Sequence, residues 1–198
     1  MPRTGLSPEE IQEKAIDSAI ARMREVGFER VRLTDIAKDL GLSHAALYAH
    51  FKDKAALLDA VSERWLDKLD EELEAICDKP KDPREKILAW MLALHRKKLE
   101  KVMHDPELFR AFNWSTEIEK PFSRKHLETL NRQLTGLVAE AIAKKRLRGA
   151  DPEAMAKILS ESLIGFHHPR LVAQHLGEKR EPLLRQILES ILEGLRLS

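Results

Sequence analysis

The stretch from Leu33 to Leu58, LTDIAKDLGLSHAALYAHFKDKAALL, decides how the rest of the chain is read. Its apolar residues recur at steps of three and four, the helical period, and Gly41 divides them. The spacing predicts two short helices, from about Thr34 to Leu40 and from Ser43 to His50. Gly41 supplies the positive φ that stops the first, and the hydroxyls of Thr34 and Ser43 are placed to cap the free amides of each first turn. Asp53 can cap a longer helix that follows at once. Two short helices meeting at a glycine suit a helix-turn-helix. Burying Ile36, Ala37, Leu40, Leu42, Leu47 and Phe51 leaves Ser43, His44, Ala45, Ala46, Tyr48 and His50 facing outward, where a DNA major groove would meet them.

The same period runs through the flanking sequence. Ser7-Pro8-Glu9-Glu10 reads as a capping box opening a helix whose stripe is Ile11, Ala15, Ala19 and Met23, ending near Gly27. Leu57, Val61, Trp65, Leu69, Leu73 and Ile76 extend the helix after Asp53 to Pro80, long enough to join two domains. Helical stripes follow through Ile87, Met91 and Leu94 and through Leu127, Leu130, Leu134, Leu137 and Ala141, with a short helix around Glu107 to Ser115 between them. Another runs through Met155, Leu159, Leu163 and Phe166 until Pro169, and Pro182 starts the last. No strand pattern occurs, and the expectation is an all-α chain of about nine helices.

Composition narrows the function. Thirty-four Lys and Arg against 33 Asp and Glu leave a net charge of +1, which argues against a uniformly basic surface and makes any DNA contact local. Residues 1–64 hold ten bases and eleven acids, so the acids of that segment must point away from the groove. A single cysteine, Cys77, forms no internal disulfide, and a cytoplasmic setting is expected. The longest apolar run, Ile87 to Leu94, is far below the roughly 20 residues needed to cross a bilayer, and no membrane partner is expected. No nucleophile elbow, phosphate loop or catalytic Cys-His pattern appears, so no catalytic residue and no enzyme is expected. His167-His168 with His175 lacks the cysteines of structural zinc; neither a metal site nor a cofactor is expected.

Gly27-Phe28 at the end of the first helix and Leu47-Tyr48-Ala49-His50-Phe51, together with Thr34, Ile36, Ala37, Gly41, Ser43, Lys54 and Leu57, resemble the N-terminal signature of TetR-family transcription regulators over about residues 7–60. The resemblance implies a three-helix DNA-binding domain over 1–52 and a helical effector-binding and dimerisation domain over 53–198. It further implies a homodimeric repressor on a palindromic double-stranded operator, released by a small molecule. A ligand-independent regulator or activator, or a helical protein-interaction scaffold, is the alternative. By the same resemblance Tyr48 meets a phosphate or a thymine methyl, Thr34 and Ser43 face phosphates, and Lys54 holds a phosphate at a helix start. Arg32 and Lys52 are the other candidate cations. The chain departs from the family pattern at His44, often Lys, and at Ala45 and Ala46, where Gly and Thr are frequent. Part of the base preference is therefore expected from methyl contacts and DNA shape.

The last helix carries Leu184, Ile187, Leu188, Ile191 and Leu195, a stripe too wide for one neighbour, and these are the expected dimer contacts. In the middle segment Trp90, Met91, His95, Phe109, Phe112, Asn113, Trp114, His126, Leu130, Gln133, Leu163 and Phe166 combine apolar bulk with a few polar groups. That mixture is the expected effector pocket.

Overall fold

The computed structural model describes residues 5–115 and 120–196, the side chain of Ser115 aside. Among these residues the chain is all-α: eleven α-helices, one 3-10 turn and no strand. They divide into two compact units, one running through Leu66 and resuming over Asp105–Ser123, the other formed by Asp67–His104 and the chain from Arg124 onward.

The first unit holds α1 (Pro8–Val26), a 3-10 turn (Phe28–Arg30), α2 (Leu33–Asp39), α3 (His44–Tyr48) and the opening of α4 (Lys54–Cys77). It also holds α6 (Pro106–Ser115), which follows α5 (Pro83–His104) in the chain. The capping box at α1 is complete: the Glu10 N–H donates to Ser7 Oγ at 3.2 Å and the Ser7 N–H to Glu10 Oε2 at 2.7 Å. Asp53 caps α4, accepting the Ala56 N–H at 2.7 Å. One core gathers Ala15, Ala19 and Met23 of α1, Phe28, Ile36, Leu47, Phe51, Leu57 and Leu58, with Leu108 and Ala111 of α6.

The domain boundary expected between residues 52 and 53 differs from this division into units: the unit that holds α1–α3 continues through the start of α4 and includes α6, whose Leu108 and Ala111 are buried in its core. Polar contacts reinforce them: Glu107 Oε2 accepts the Phe28 N–H at 2.9 Å and Arg24 pairs with Asp105 at 2.6 Å.

The second unit comprises the rest of α4, then α5, the greater part of α7 (Pro121–Ala143), α8 (Pro152–Ser162), α9 (Ile164–His167), α10 (Pro169–Ala173) and α11 (Glu181–Gly194). Its interior includes Leu73, Ile87, Met91, Leu134, Leu147, Leu159, Leu163, Leu184 and Leu188, and α9, α10 and α11 all pack on α5. The single helix expected through Leu163 and Phe166 is broken in two. Leu163 leaves helical geometry at φ −111° and ψ 12°, closing α8 with a tight bond to the Ser160 carbonyl. His168 is extended, as a residue before proline prefers, so the helix ends before Pro169, which begins α10. The two extra elements, α9 and α10, account for the difference between nine helices and eleven.

Candidate nucleic-acid interface

The α2–α3 turn is built from backbone bonds. Gly41 adopts φ +65°, its N–H meets the Lys38 carbonyl at 3.1 Å, and the Leu42 N–H meets the Ala37 carbonyl at 2.8 Å. Ser43 caps α3 as expected, accepting the Ala46 N–H at 3.2 Å. Thr34 does not cap α2: the helix begins one residue earlier with Arg32 at the cap position, and no side chain bonds the first-turn amides there. The Thr34 hydroxyl is exposed and free for another acceptor.

Leu47 is fully buried while its neighbour Tyr48 is 41% exposed, which fixes the face that α3 turns outward. His44, one turn back, stacks on Tyr48 with ring centroids 4.2 Å apart and planes tilted by 40°. Ser43, His44, Ala45 and Tyr48 stand exposed together, whereas Ala46 and His50, expected outward, are half-buried at the edge of the core.

The charges sort as the near-neutral balance requires. Asp39 is held by Arg22 at 2.6 Å and by the Ser18 hydroxyl, and the guanidinium lowers its carboxyl below the usual range. Arg64 takes Glu13 at 3.0 Å and Asp17 at 2.8 Å. Glu29 is paired with Arg110 at 2.8 Å. Acids of this unit are thus tied to arginines of α1, α4 and α6. Among the described residues Arg32 and Lys52 are exposed and form no ion pair. Lys54 differs from the expectation: its ammonium turns back to the Glu29 carbonyl at 2.6 Å and lies 5.8 Å over the Phe28 ring. Burial there lowers its pKa.

The residues expected to form an effector pocket fall in both units. Phe109, Phe112, Asn113 and Trp114 belong to the first, where Phe112 meets Trp65 edge-on at 5.3 Å and Trp114 is 47% exposed. Trp90, Met91, His95, His126, Leu130, Gln133, Leu163 and Phe166 belong to the second. There Trp90 Nε1 donates to Gln133 Oε1 at 2.9 Å, and the Gln133 amide donates to the Asp70 carbonyl at 2.9 Å. His126 Nδ1 lies 2.6 Å from Asp70 Oδ1, and Lys98 Nζ lies 3.2 Å from His126 Nε2. Burial lowers the His126 pKa, with the Lys98 ammonium adding to the effect against Asp70. Burial likewise brings Lys98 down to about 8. Asp70 and Lys98 were not among the residues expected from the sequence, and His167 was weighed there only as a metal ligand; the signal for Lys98 is its place one turn beyond His95 on α5.

Of the residues expected at the dimer contact, Leu184 and Leu188 have no exposed surface and pack in the core of their own chain. Leu183, 47% exposed, lies on the outer face of α11, beside the half-buried Ile187, Ile191 and Leu195. No helix among the described residues is long and apolar enough to cross a membrane.

Comparison with known proteins agrees with this geometry. Residues 15–61 match the family model for bacterial regulatory proteins of the tetR family, and residues 83–188 match the tetracyclin repressor-like C-terminal domain. The class C tetracycline repressor protein of Escherichia coli is 42% identical over 55 residues, 28% of this chain and 25% of that protein. In that alignment the chain spans about a quarter of the length of the relative. A TetR-family transcriptional regulator of Pectobacterium atrosepticum superposes with a TM-score of 0.71 at 26% identity, covering 96% of both chains. SmeT in complex with triclosan superposes with a TM-score of 0.64 at 23% identity, covering 95% of this chain and 92% of that one. The fold, the exposed face of α3 and two family models that together span most of the sequence place this chain in the TetR family of bacterial DNA-binding transcriptional regulators, a family of regulators and not of enzymes.

Proposed function

We propose that the protein is a cytoplasmic homodimeric repressor that binds a palindromic operator and leaves it when a small molecule binds the helical unit beginning at Asp67. The observation that carries the reading is the pairing of a sealed Leu47 with an exposed, cap-stabilised α3 face at Ser43, His44, Ala45 and Tyr48. Arg32, Thr34 and Lys52, all exposed, supply phosphate contacts on either side. Lys54 acts chiefly by holding the turn at Glu29, and Ala46 and His50 contribute from the margin. One recognition helix binds weakly; two, roughly 34 Å apart, read a palindrome with multiplied affinity.

Support for the dimer comes from apolar side chains left outward on α8, α9 and α11: Ile158, Ile164 and Leu183 are each about half exposed or more. Ile187, Ile191 and Leu195 extend that face. Support for the effector comes from the polar groups buried among aromatic residues in the same unit, and from SmeT, a protein of like fold whose structure holds triclosan.

The test is selection of bound genomic DNA followed by titration of the selected duplex at increasing salt. A palindromic site bound by two chains, about a thousandfold or more tighter than random DNA and weakening steeply with salt, is the expected result. Equal affinity for selected and random duplexes overturns the operator reading.

A further inference from the structure

Two buried ring nitrogens of the second unit take no part in its hydrogen bonding. His95, in α5, places Nδ1 2.8 Å from the Phe166 carbonyl oxygen. A carbonyl only accepts, so Nδ1 carries a hydrogen, and in a neutral imidazole Nε2 then presents a lone pair. His167, beside Phe166 in α9, turns its ring toward the Met91 carbonyl one turn before His95, which favours a ring hydrogen on that side. Burial pushes His167 down to about 3, which keeps the ring neutral. The His95 bond ties α5 to α9 and fixes the tautomer of its neutral ring. Both Nε2 atoms are shielded from solvent and meet no hydrogen-bond partner among the described residues. Native interiors rarely leave such atoms unpaired, and here two of them lie on one pair of contacting helices, α5 and α9.

We propose that His95 Nε2 and His167 Nε2 are the polar half of the effector site, and that it takes an uncharged, compact molecule carrying hydroxyl or N–H donors on an apolar frame. An acceptor-only pair requires donors, which a carboxylate or an ether lacks. A cationic ligand is opposed by Lys98, which shares the charge environment of His167, and by Arg180, whose guanidinium lies 4.3 Å over the Phe166 ring. A metal ion would need further ligands, and no group of three metal-binding side chains occurs among the described residues. The apolar frame answers to Met91, Leu163 and Phe166, buried side chains of the surrounding helices. The inference rests on the effector-release reading and adds the ligand chemistry to it.

The experiment compares phenol with anisole, which keeps the apolar ring and loses the donor, by calorimetric titration of the full chain at neutral pH. Phenol is expected to bind about tenfold more tightly, the worth of one good hydrogen bond. It is also expected to move the side-chain nitrogen resonances of His95 and His167. His167→Phe and His95→Phe should each abolish the preference. Equal binding of the two probes, no binding of phenol, or unmoved imidazole resonances overturns the proposal and leaves a resident water as the partner of these atoms. If a variant fails to fold, the probe pair and the resonances of the wild-type chain still decide. Operator affinity is read on the same samples. A donor preference without any change in operator binding upholds the acceptor site and overturns only effector release.

Discussion

Glu107 accepts the backbone N–H of Phe28 at 2.9 Å, and the same carboxylate oxygen lies 3.2 Å from where a β-carbon on Gly27 would stand. Gly27 ends α1 at φ +85°, a conformation that an L side chain adopts only with strain. The carboxylate is held below its usual range by that N–H and by Arg110. α6 is therefore fastened to the end of α1 by a contact that a side chain at the turn would crowd.

Gly27→Ala should destabilise the protein by about 1–3 kcal/mol, from the positive-φ backbone alone, with the displaced carboxylate adding to it. Urea denaturation read by circular dichroism checks the figure. An unchanged midpoint would mean that the turn adjusts freely.

Adjacent residues of α3 should separate folding from binding. Leu47→Ala removes a fully buried side chain and should cost about 2–5 kcal/mol of stability. Tyr48→Phe removes one hydroxyl from a side chain that is 41% exposed and should alter stability by less than about 0.5 kcal/mol. On the selected operator the same change should weaken binding by about 0.5–1.5 kcal/mol, the net worth of a hydrogen bond, measured by fluorescence anisotropy. A Tyr48→Phe protein with undiminished operator affinity removes the hydroxyl from the interface and leaves only the ring.

The parts of this molecule legible in the sequence are those set by local chemistry. Ser7, Ser43 and Asp53 cap the helices they precede, and Gly41 makes the turn, because each acts on amides within three residues of itself. Thr34 misled because Arg32, without any side-chain bond, starts α2 early enough to bury Leu33 in the core. What period alone could not reveal is which of two adjacent apolar stripes faces inward. On α11 the tertiary neighbour α5 takes Leu184 and Leu188 and turns Leu183 out. Nor could local pattern reveal that α6, 58 residues beyond the end of α3, completes the first core. The exposed α3 face was readable from residues 43–48, whereas the pairing of His95 with Phe166 spans 71 positions and depends on the break at Leu163.

The buried histidine should make stability fall in mild acid. The folded-state pKa of His167 lies near 3 against an ordinary value of 6.5, so the unfolded chain binds the proton first as pH drops. Its contribution is complete above about pH 6.5 and is lost progressively toward pH 3. One such proton amounts to about 1.4 kcal/mol per pH unit, or up to about 2 kcal/mol between pH 7 and pH 5. His126, also lowered by burial, adds in the same direction. His167→Phe should flatten the curve relative to wild type over this range, while both share the response of the carboxylates. Parallel urea midpoints at pH 7, 6 and 5 for the two proteins would show that the ring takes up its proton in the fold.

The outward apolar face of the second unit should govern association. Leu183 and Ile158 are 47% and 60% exposed on α11 and α8, and a carboxylate placed at either position loses little in a lone chain, where it remains in water. At the centre of an interface the same carboxylate is stripped of water with no cation to meet it, a cost of several kcal/mol. Leu183→Glu should therefore turn a dimer into a monomer in sedimentation equilibrium while the thermal melt of the separated chain stays cooperative. Operator affinity should fall together with dimer content, since the second recognition helix is lost. Leu184→Glu is the contrasting variant: buried in its own chain, it should unfold the unit instead of dissociating it. A Leu183→Glu protein that remains dimeric would move the interface to another face of the molecule.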